Sequence, residues 1–253
     1  MKKHILILLS VLLIIPASTA IAAGDAPKLE QQRWNFEGPF GTFDRAAQQR
    51  GLKVYREVCA ACHSLKRIAF RNLEDIGYDE SQVKAIAAEY TVTDGPDEEG
   101  DMFERPARPS DRFPSPFAND NQAKAANNNA MPPDLSLITK ARPHGHDYLY
   151  GLMTGYKEAP EGTDLLEGQY YNKVMPGHII AMAPPLSDDQ ITYEDETPQT
   201  VEQYSKDVVE FLAWAAEPEL EERKRMGVKV LIFLLVFAGI MYGIKKKIWA
   251  DVH

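Results

Sequence analysis

Two stretches of this chain carry apolar residues at helical spacing, and they lie far apart in the sequence. From Phe43 to Tyr55, the residues Phe43, Ala46, Ala47, Leu52 and Tyr55 share one face, and from Val201 to Ala216 the residues Tyr204, Val208, Phe211, Leu212 and Trp214 do the same. Both segments are expected to be helices, and Gly51 on the first allows a close helix crossing. Shorter helical patterns cover Glu80 to Tyr90 and Asp147 to Thr154, the latter with Tyr148, Leu149, Leu152 and Met153 as its apolar stripe. Between them, Asp94-Gly95-Pro96-Asp97-Glu98-Glu99-Gly100-Asp101 and a proline-punctuated stretch to Pro116 are expected to form a long loop. The acidic run suits either a solvated turn or a docking patch for a basic partner.

Two apolar runs stand outside this pattern. Met1-Lys2-Lys3, the run Ile5 to Ile15 and the small residues Ala20-Ile21-Ala22 have the layout of an export signal, removed near Ala23. Val228 to Ile244 is a second run; its helical rise of roughly 26 Å nearly spans a bilayer core of ~30 Å. Lys229 and Lys245-Lys246-Lys247 can snorkel, and Tyr242 and Trp249 suit the interface. Pro218 fits the first turn of a helix reaching to about Trp249, with Glu219–Arg223 and Glu221–Arg225 spaced as i, i+4 pairs. Four parts are therefore expected: a cleaved segment 1–23, an exported domain 24–217, an anchor helix 218–249 crossing the membrane at about 228–244, and a cytoplasmic tail 250–253. Export of the N-terminus puts the domain outside a single-pass membrane anchor.

At 253 residues the chain can bury a substantial core, and its 26% of charged residues is ordinary. The net charge of −9 becomes −11 when Lys2 and Lys3 leave with the first segment, which argues against nucleic acid as a partner. The chemistry sits in Cys59-Ala60-Ala61-Cys62-His63. C-x-x-C-H is the attachment signature of a c-type haem: two thiols form thioethers with the macrocycle and the histidine reaches the iron. A zinc site would need further ligands nearby, and a redox dithiol a βαβ setting.

A haem held by His63 alone could bind small ligands, whereas a second protein ligand makes it an electron carrier. The candidates include Met102, Met131, Met153, Met175, Met182 and Met226, with His144, His146 and His178. Met182 is favoured because Ala183-Pro184-Pro185 follows it and stiffens its loop; Met175, before Pro176-Gly177, and a histidine remain open. His144 and His146 are expected in an exposed glycine-containing loop.

Several blocks together resemble the cytochrome c1 family, the membrane-anchored haem subunits of cytochrome bc1 complexes. They are Val54 to Ser64 around the motif, Asp94-Gly95-Pro96, Ala126-Asn127-Asn128 leading to Pro132-Pro133-Asp134-Leu135-Ser136, Asp147-Tyr148, Leu152 to Tyr156, Met182-Ala183-Pro184-Pro185-Leu186, and Trp214 to Pro218 with Arg223 to Gly227. The sequence departs from the family's usual pattern at Pro143-His144-Gly145-His146 and lacks the extra cysteine pair of some bacterial members. The resemblance implies a mainly α fold, a class I c-type cytochrome-like domain with long loop insertions plus one C-terminal transmembrane helix. It implies one covalently attached c-type haem on Cys59 and Cys62, with His63 and Met182 as axial ligands and Arg142 paired with a propionate. Asn127, Pro132, Pro133 and Tyr148 would line the pocket. The implied partners are cytochrome b, a Rieske iron–sulfur protein, a soluble or membrane-tethered cytochrome c and membrane lipid, with the haem domain periplasmic at a bacterial inner membrane. The competing readings are an independent tethered cytochrome, an oxidase subunit, or a five-coordinate haem sensor.

Overall fold

The computed structural model describes residues 29–250, so the leader expected at 1–23 and residues 251–253 lie outside the described residues. The helices are α1 (Arg45–Glu57), α2 (Glu80–Ala88), α3 (Asp120–Ala126), α4 (Gly145–Thr154), α5 (Val201–Ala216) and α6 (Leu220–Ile248). The strands are β1 (Thr91–Asp94), β2 (Phe103–Pro106), β3 (Tyr170–Tyr171) and β4 (Ile179–Ile180), paired as two antiparallel hairpins.

α1 begins two residues after the apolar pattern does, because the Asp44 carboxylate accepts from the N–H groups of Ala46 and Ala47 and caps the helix. α5 is capped in the same way by Thr200, whose hydroxyl accepts from Gln203 N–H at 3.3 Å. The two helices cross at Gly51, where a Cβ would stand 2.0 Å from the Asp207 carbonyl oxygen and 2.7 Å from Phe211 Cβ. Only a residue without a side chain lets the backbones come this near. Tyr55 then lies 5.9 Å from Phe211, ring centre to ring centre, and Leu52, Val208, Phe211, Leu212 and Trp214 are all buried. A forked bond fixes the register: Arg50 donates to both carboxylate oxygens of buried Asp207, at 2.9 and 3.0 Å, and Tyr193 donates to the same carboxylate at 2.8 Å.

The N-terminal segment straps this core. Trp34 donates its indole N–H to Asp147 at 2.9 Å, and the ring centres of Phe36 and His146 lie 4.8 Å apart. His146 is therefore half-buried on α4, not in an exposed loop, and burial lowers its pKa. α4 itself starts at Gly145, two residues earlier than expected, after His144 in a left-handed conformation (φ 52°).

α6 is continuous over 29 residues, with a mean hydropathy of 2.2 in its most apolar window and none of that window buried. Lys245 and Lys246 fold over Trp249 and Tyr242 at its far end, 5.7 and 5.9 Å from the ring centres. At its near end Glu221 accepts from Phe43 N–H at 2.8 Å and from Arg45 at 3.1 Å, while Lys224 donates to the carbonyls of Phe36 and Gly41. The expected Glu221–Arg225 pair forms at 3.5 Å. The Glu219–Arg223 pair does not: Arg223 turns back to Glu217, which Lys140 also reaches, because Glu217 sits in the bend just before the helix.

The loop expected from 94 to 116 is in part a hairpin. β1 and β2 pair in register from Thr91–Pro106 to Asp94–Phe103, and the acidic run turns between them. Arg105 clamps both ends of this region, donating to Asp94 at 2.5 Å and to Asp111 at 2.6 Å; its hydrogen bonds to Asp111 and Asp94 raise its pKa.

Candidate functional site

α1 delivers the cysteine motif. Its last turn ends at Val58, and a single 3-10 turn, Cys59–Ala61, follows. The Cys59 carbonyl accepts from the N–H groups of both Cys62 (3.1 Å) and His63 (2.8 Å), so the motif folds back on itself. Buried Tyr55 donates to the His63 carbonyl at 3.2 Å and braces the turn from the core. The thiols are unbridged, with Cys62 exposed and Cys59 half-buried. Burial, and then Cys62 beside it, pushes the Cys59 thiol up to about 12. Among the described residues no cluster of three or more His, Cys, Asp and Glu could hold a metal ion, so the further ligands a zinc site needs are not near these thiols.

The His63 ring is oriented by one contact. Its Nδ1 lies 2.8 Å from the Pro133 carbonyl oxygen. A carbonyl can only accept, so Nδ1 carries the proton and Nε2 presents its lone pair. Burial lowers the pKa of this imidazole, and the Pro133 bond opposes that shift. Pro133 is held in turn by its neighbour: Asp134 accepts from Ser64 Oγ (2.8 Å), from Lys66 N–H (2.9 Å) and from Ser136 N–H (3.0 Å). Burial would raise the Asp134 pKa, but these donors outweigh it and hold the carboxylate below its usual range.

A second group of residues is built around Asn172, which is fully buried. Its amide donates to Leu152 O at 2.8 Å and accepts from the N–H groups of Val174 (2.9 Å) and Met175 (3.3 Å). This ties the end of α4 to the strand pair that leads toward Met182. Tyr156 donates to the Met182 carbonyl at 3.0 Å, fixing the backbone of that half-buried methionine just before its two prolines. Met175 is differently placed, since the Tyr148 hydroxyl lies 3.5 Å from its sulfur. Arg142 is exposed with its guanidinium 4.9 Å above the Tyr148 ring centre. Asn127 spends its amide N–H on Ala123 O at 2.7 Å, closing the end of α3.

The structure thus joins His63 to Pro133, Arg142 to Tyr148, Tyr148 to Met175 and Tyr156 to Met182. No hydrogen bond, ion pair or ring contact links Asn127 or Pro132 to any of them. Tyr156, Asn172 and Asp134 carry no role in the sequence reading, although Tyr156 and Asp134 stand in blocks that supported the resemblance. The residues present suit a haem: a free Nε2 lone pair, two unbridged thiols on one turn, and an exposed guanidinium with no ion pair among the described residues. Val58, Cys59, Ala60, Ile138, Ile180 and Met182 are half-covered, packed against the core.

A histidine with only Nε2 free, adjoining two such thiols, places the protein among the c-type cytochromes. Its sequence narrows the class. The Cytochrome C1 family profile matches residues 34–252. A Bradyrhizobium diazoefficiens protein named cytochrome b/c1 is 55% identical over 87% of this chain, which spans about a third of that longer relative (35%). Cytochrome c1 of Rhodospirillum rubrum is 45% identical over 94% of this chain and 96% of its own length. The mitochondrial cytochrome c1 haem protein of Saccharomyces cerevisiae is 49% identical over 87% of this chain and 71% of its own. The chain belongs to the cytochrome c1 family, and with that come a c-type haem, an electron-transfer role and, in α6, a helix suited to a single-pass membrane anchor.

Proposed function

We propose that this chain is the electron-transferring haem subunit of a quinol:cytochrome c oxidoreductase. It works beside cytochrome b, takes single electrons from a Rieske iron–sulfur protein and hands them to a soluble or membrane-tethered cytochrome c. The observation that carries this reading is the His63 ring, held by Pro133 with Nε2 as its one free ligand atom.

The bound haem supplies a reversible one-electron couple at its iron. Cys59 and Cys62 would hold it through thioethers, and His63 would bind the iron through Nε2, in an orientation set by Pro133. Met182 would give its sulfur as the second protein ligand, a reading supported by Tyr156, which holds its backbone, and by the engagement of the alternative sulfur, Met175, with Tyr148. Arg142 would pair with a propionate from its place on Tyr148, while Asn127, Pro132, Pro133 and Tyr148 would line the pocket. Ligation by His63 and Met182 together would keep small ligands out and the potential high. No side chain acts as acid, base or nucleophile; the protein's part in the oxidoreductase is position and electrostatics.

On this reading residues 1–23 are removed on export, the haem domain 24–217 lies on the periplasmic side of a bacterial inner membrane, and residues 250–253 end in the cytoplasm. The test is a visible spectrum of the tagged protein taken from its native membrane in mild detergent. A c-type signal reduced by ascorbate, with b-type haem appearing under dithionite, is expected; c-type signal without b-type haem would overturn the place in the complex. In a Met182→Ala variant the potential should fall and the reduced protein should bind carbon monoxide. An unchanged potential with no binding would remove Met182 from the iron.

A further inference from the structure

The tight loop from Asn35 to Thr42 is closed by a bond from Thr42 N–H to Asn35 O at 3.0 Å. Inside it, Gly41 lies so close under the Glu37 carbonyl that a Cβ would stand 2.0 Å from that oxygen. The loop is therefore compact, and only glycine fits at position 41. At the tip is Phe40, 81% exposed, more than any other large apolar residue among the described ones, the bare α6 included. A lone exposed phenylalanine is unremarkable; its position relative to α6 is not.

The contacts between this segment and α6 descend together. Phe43 N–H meets Glu221, and the carbonyls of Gly41 and Phe36, on either side of Phe40, both meet Lys224, one turn further along the helix. Both ends of the segment that carries Phe40 are thus tied to α6 on the span side of the Phe43 contact. Lys224 precedes Val228 by four residues, a rise of about 6 Å. The headgroup layer between water and hydrocarbon is of about that thickness, because a bilayer of ~40–45 Å contains a core of ~30 Å. Arg223 and Arg225 stand at the same height with side chains 61% and 74% exposed, although Glu217 and Glu221 already engage them.

We propose that the Phe40 loop is a second membrane contact: it rests in the headgroup layer of the leaflet that α6 enters, with the phenylalanine ring directed into the lipid. The occupant of this surface is lipid because the loop lies against the helix that carries the span, and the surface of that span is bare from its first turn. The inference rests on α6 crossing the bilayer. A single apolar ring adds little affinity beside such a helix, so its effect is on orientation. With one contact at α6 and one beside it, the domain loses its freedom to rock about the helix axis.

The test uses full-length haem-loaded protein in lipid vesicles. Both native cysteines are held in thioethers there, so Phe40→Cys carries the one free thiol for an environment-sensitive fluorophore. Leu235→Cys, at the middle of the span, serves as the reference. The label at position 40 should lose emission when lipids carry a nitroxide on the headgroup, and much less when it sits deep in the acyl chain; the label at 235 should respond to the acyl nitroxide. A label at 40 that answers only to aqueous quenchers, with 235 still quenched in lipid, would overturn the loop contact and leave the span intact. Loss of lipid quenching at both positions would overturn the span and the contact with it. Shielding at 40 that appears only in the assembled complex, without lipid quenching, would assign the surface to a neighbouring protein instead.

Discussion

Gly51→Ala sets two effects of opposite sign against each other. In an open helix the change stabilises by about 1 kcal/mol, because alanine has the higher helix propensity. At Gly51 the new Cβ would lie 2.0 Å from the Asp207 carbonyl oxygen, where ordinary contact begins at 3.4 Å. The atom it meets is backbone in the middle of α5, so the helices themselves must separate, by roughly 1.4 Å. A gap of even ~0.5–1 Å forfeits a quarter to a half of each van der Waals contact across it. The contacts at stake are those of Leu52, Tyr55, Val208, Phe211 and Leu212, each buried to within about 1% of completely. Their loss outweighs the propensity gain, and the variant should be destabilised by about 3 kcal/mol, near the upper range for overpacked cores. For a chain of this size that is a fall of about 6–12 °C in melting temperature. The assay is thermal unfolding of the full-length holoprotein in detergent, followed by near-ultraviolet circular dichroism. Gly227→Ala is the matched control, since nothing lies within 4 Å of the added atom. A Gly51→Ala melting temperature at or above that of the parent would show that the crossing is not close-packed.

Glu210 is buried on α5, where its carboxylate accepts from Asp44 N–H at 3.0 Å. Burial is the main cause that pushes its pKa up from 4.5 to about 7, with Asp44 and Asp207 adding to the rise. The folded protein therefore keeps this proton while the unfolded chain loses it, and stability falls as the pH rises from about 4.5 to 7, by about 3 kcal/mol. Glu210→Gln should be the more stable protein above pH 7 by ~1–3 kcal/mol and equal to the parent below pH 4.5; parallel pH profiles of unfolding would contradict this. Asn172→Ala leaves Leu152 O and the N–H groups of Val174 and Met175 without their partner, and should cost about 3 kcal/mol or more in denaturant unfolding. A loss below ~1 kcal/mol would mean that water replaces the amide there.

The sequence makes visible what is local. The cysteine motif carries its chemistry in five consecutive residues, and the two long helices show in their own periodicity. Gly51 opposite an aromatic is a pattern that two helices can complete between themselves. The hairpin at Thr91 to Pro106 was hidden because its strands have four residues each and alternate only between exposed and half-buried, so turn-forming residues dominate that stretch. His146 was read as loop because the strength of its contact lies in Phe36, more than a hundred residues earlier. Arg223 left its i, i+4 neighbour for a different reason: Glu217, six residues back in the bend before α6, offers a carboxylate that Lys140 also reaches. Of the candidate site, residue types were legible and their supports were not. Nothing in the letters says that Pro133 offers its carbonyl to His63 or that Tyr156 holds Met182.

The helix crossing also sets a schedule. Arg50 and Asp207 are 157 positions apart, and Asp44 and Glu210 are 166 apart. A ribosome adding ~5–20 residues per second needs on the order of 10–30 s to go from one partner to the other. For that interval the Cys59–His63 segment has been made and the helix that buries its brace, Tyr55, has not. The thiols are then on an open chain, reachable from every side; once α5 arrives Cys59 is half-covered, while Cys62 stays exposed. The interval in which the motif exists without the core that braces its turn is thus written into the order of the residues: a deletion that shortened the middle of the chain would shorten it too, even with every residue of the finished site in place.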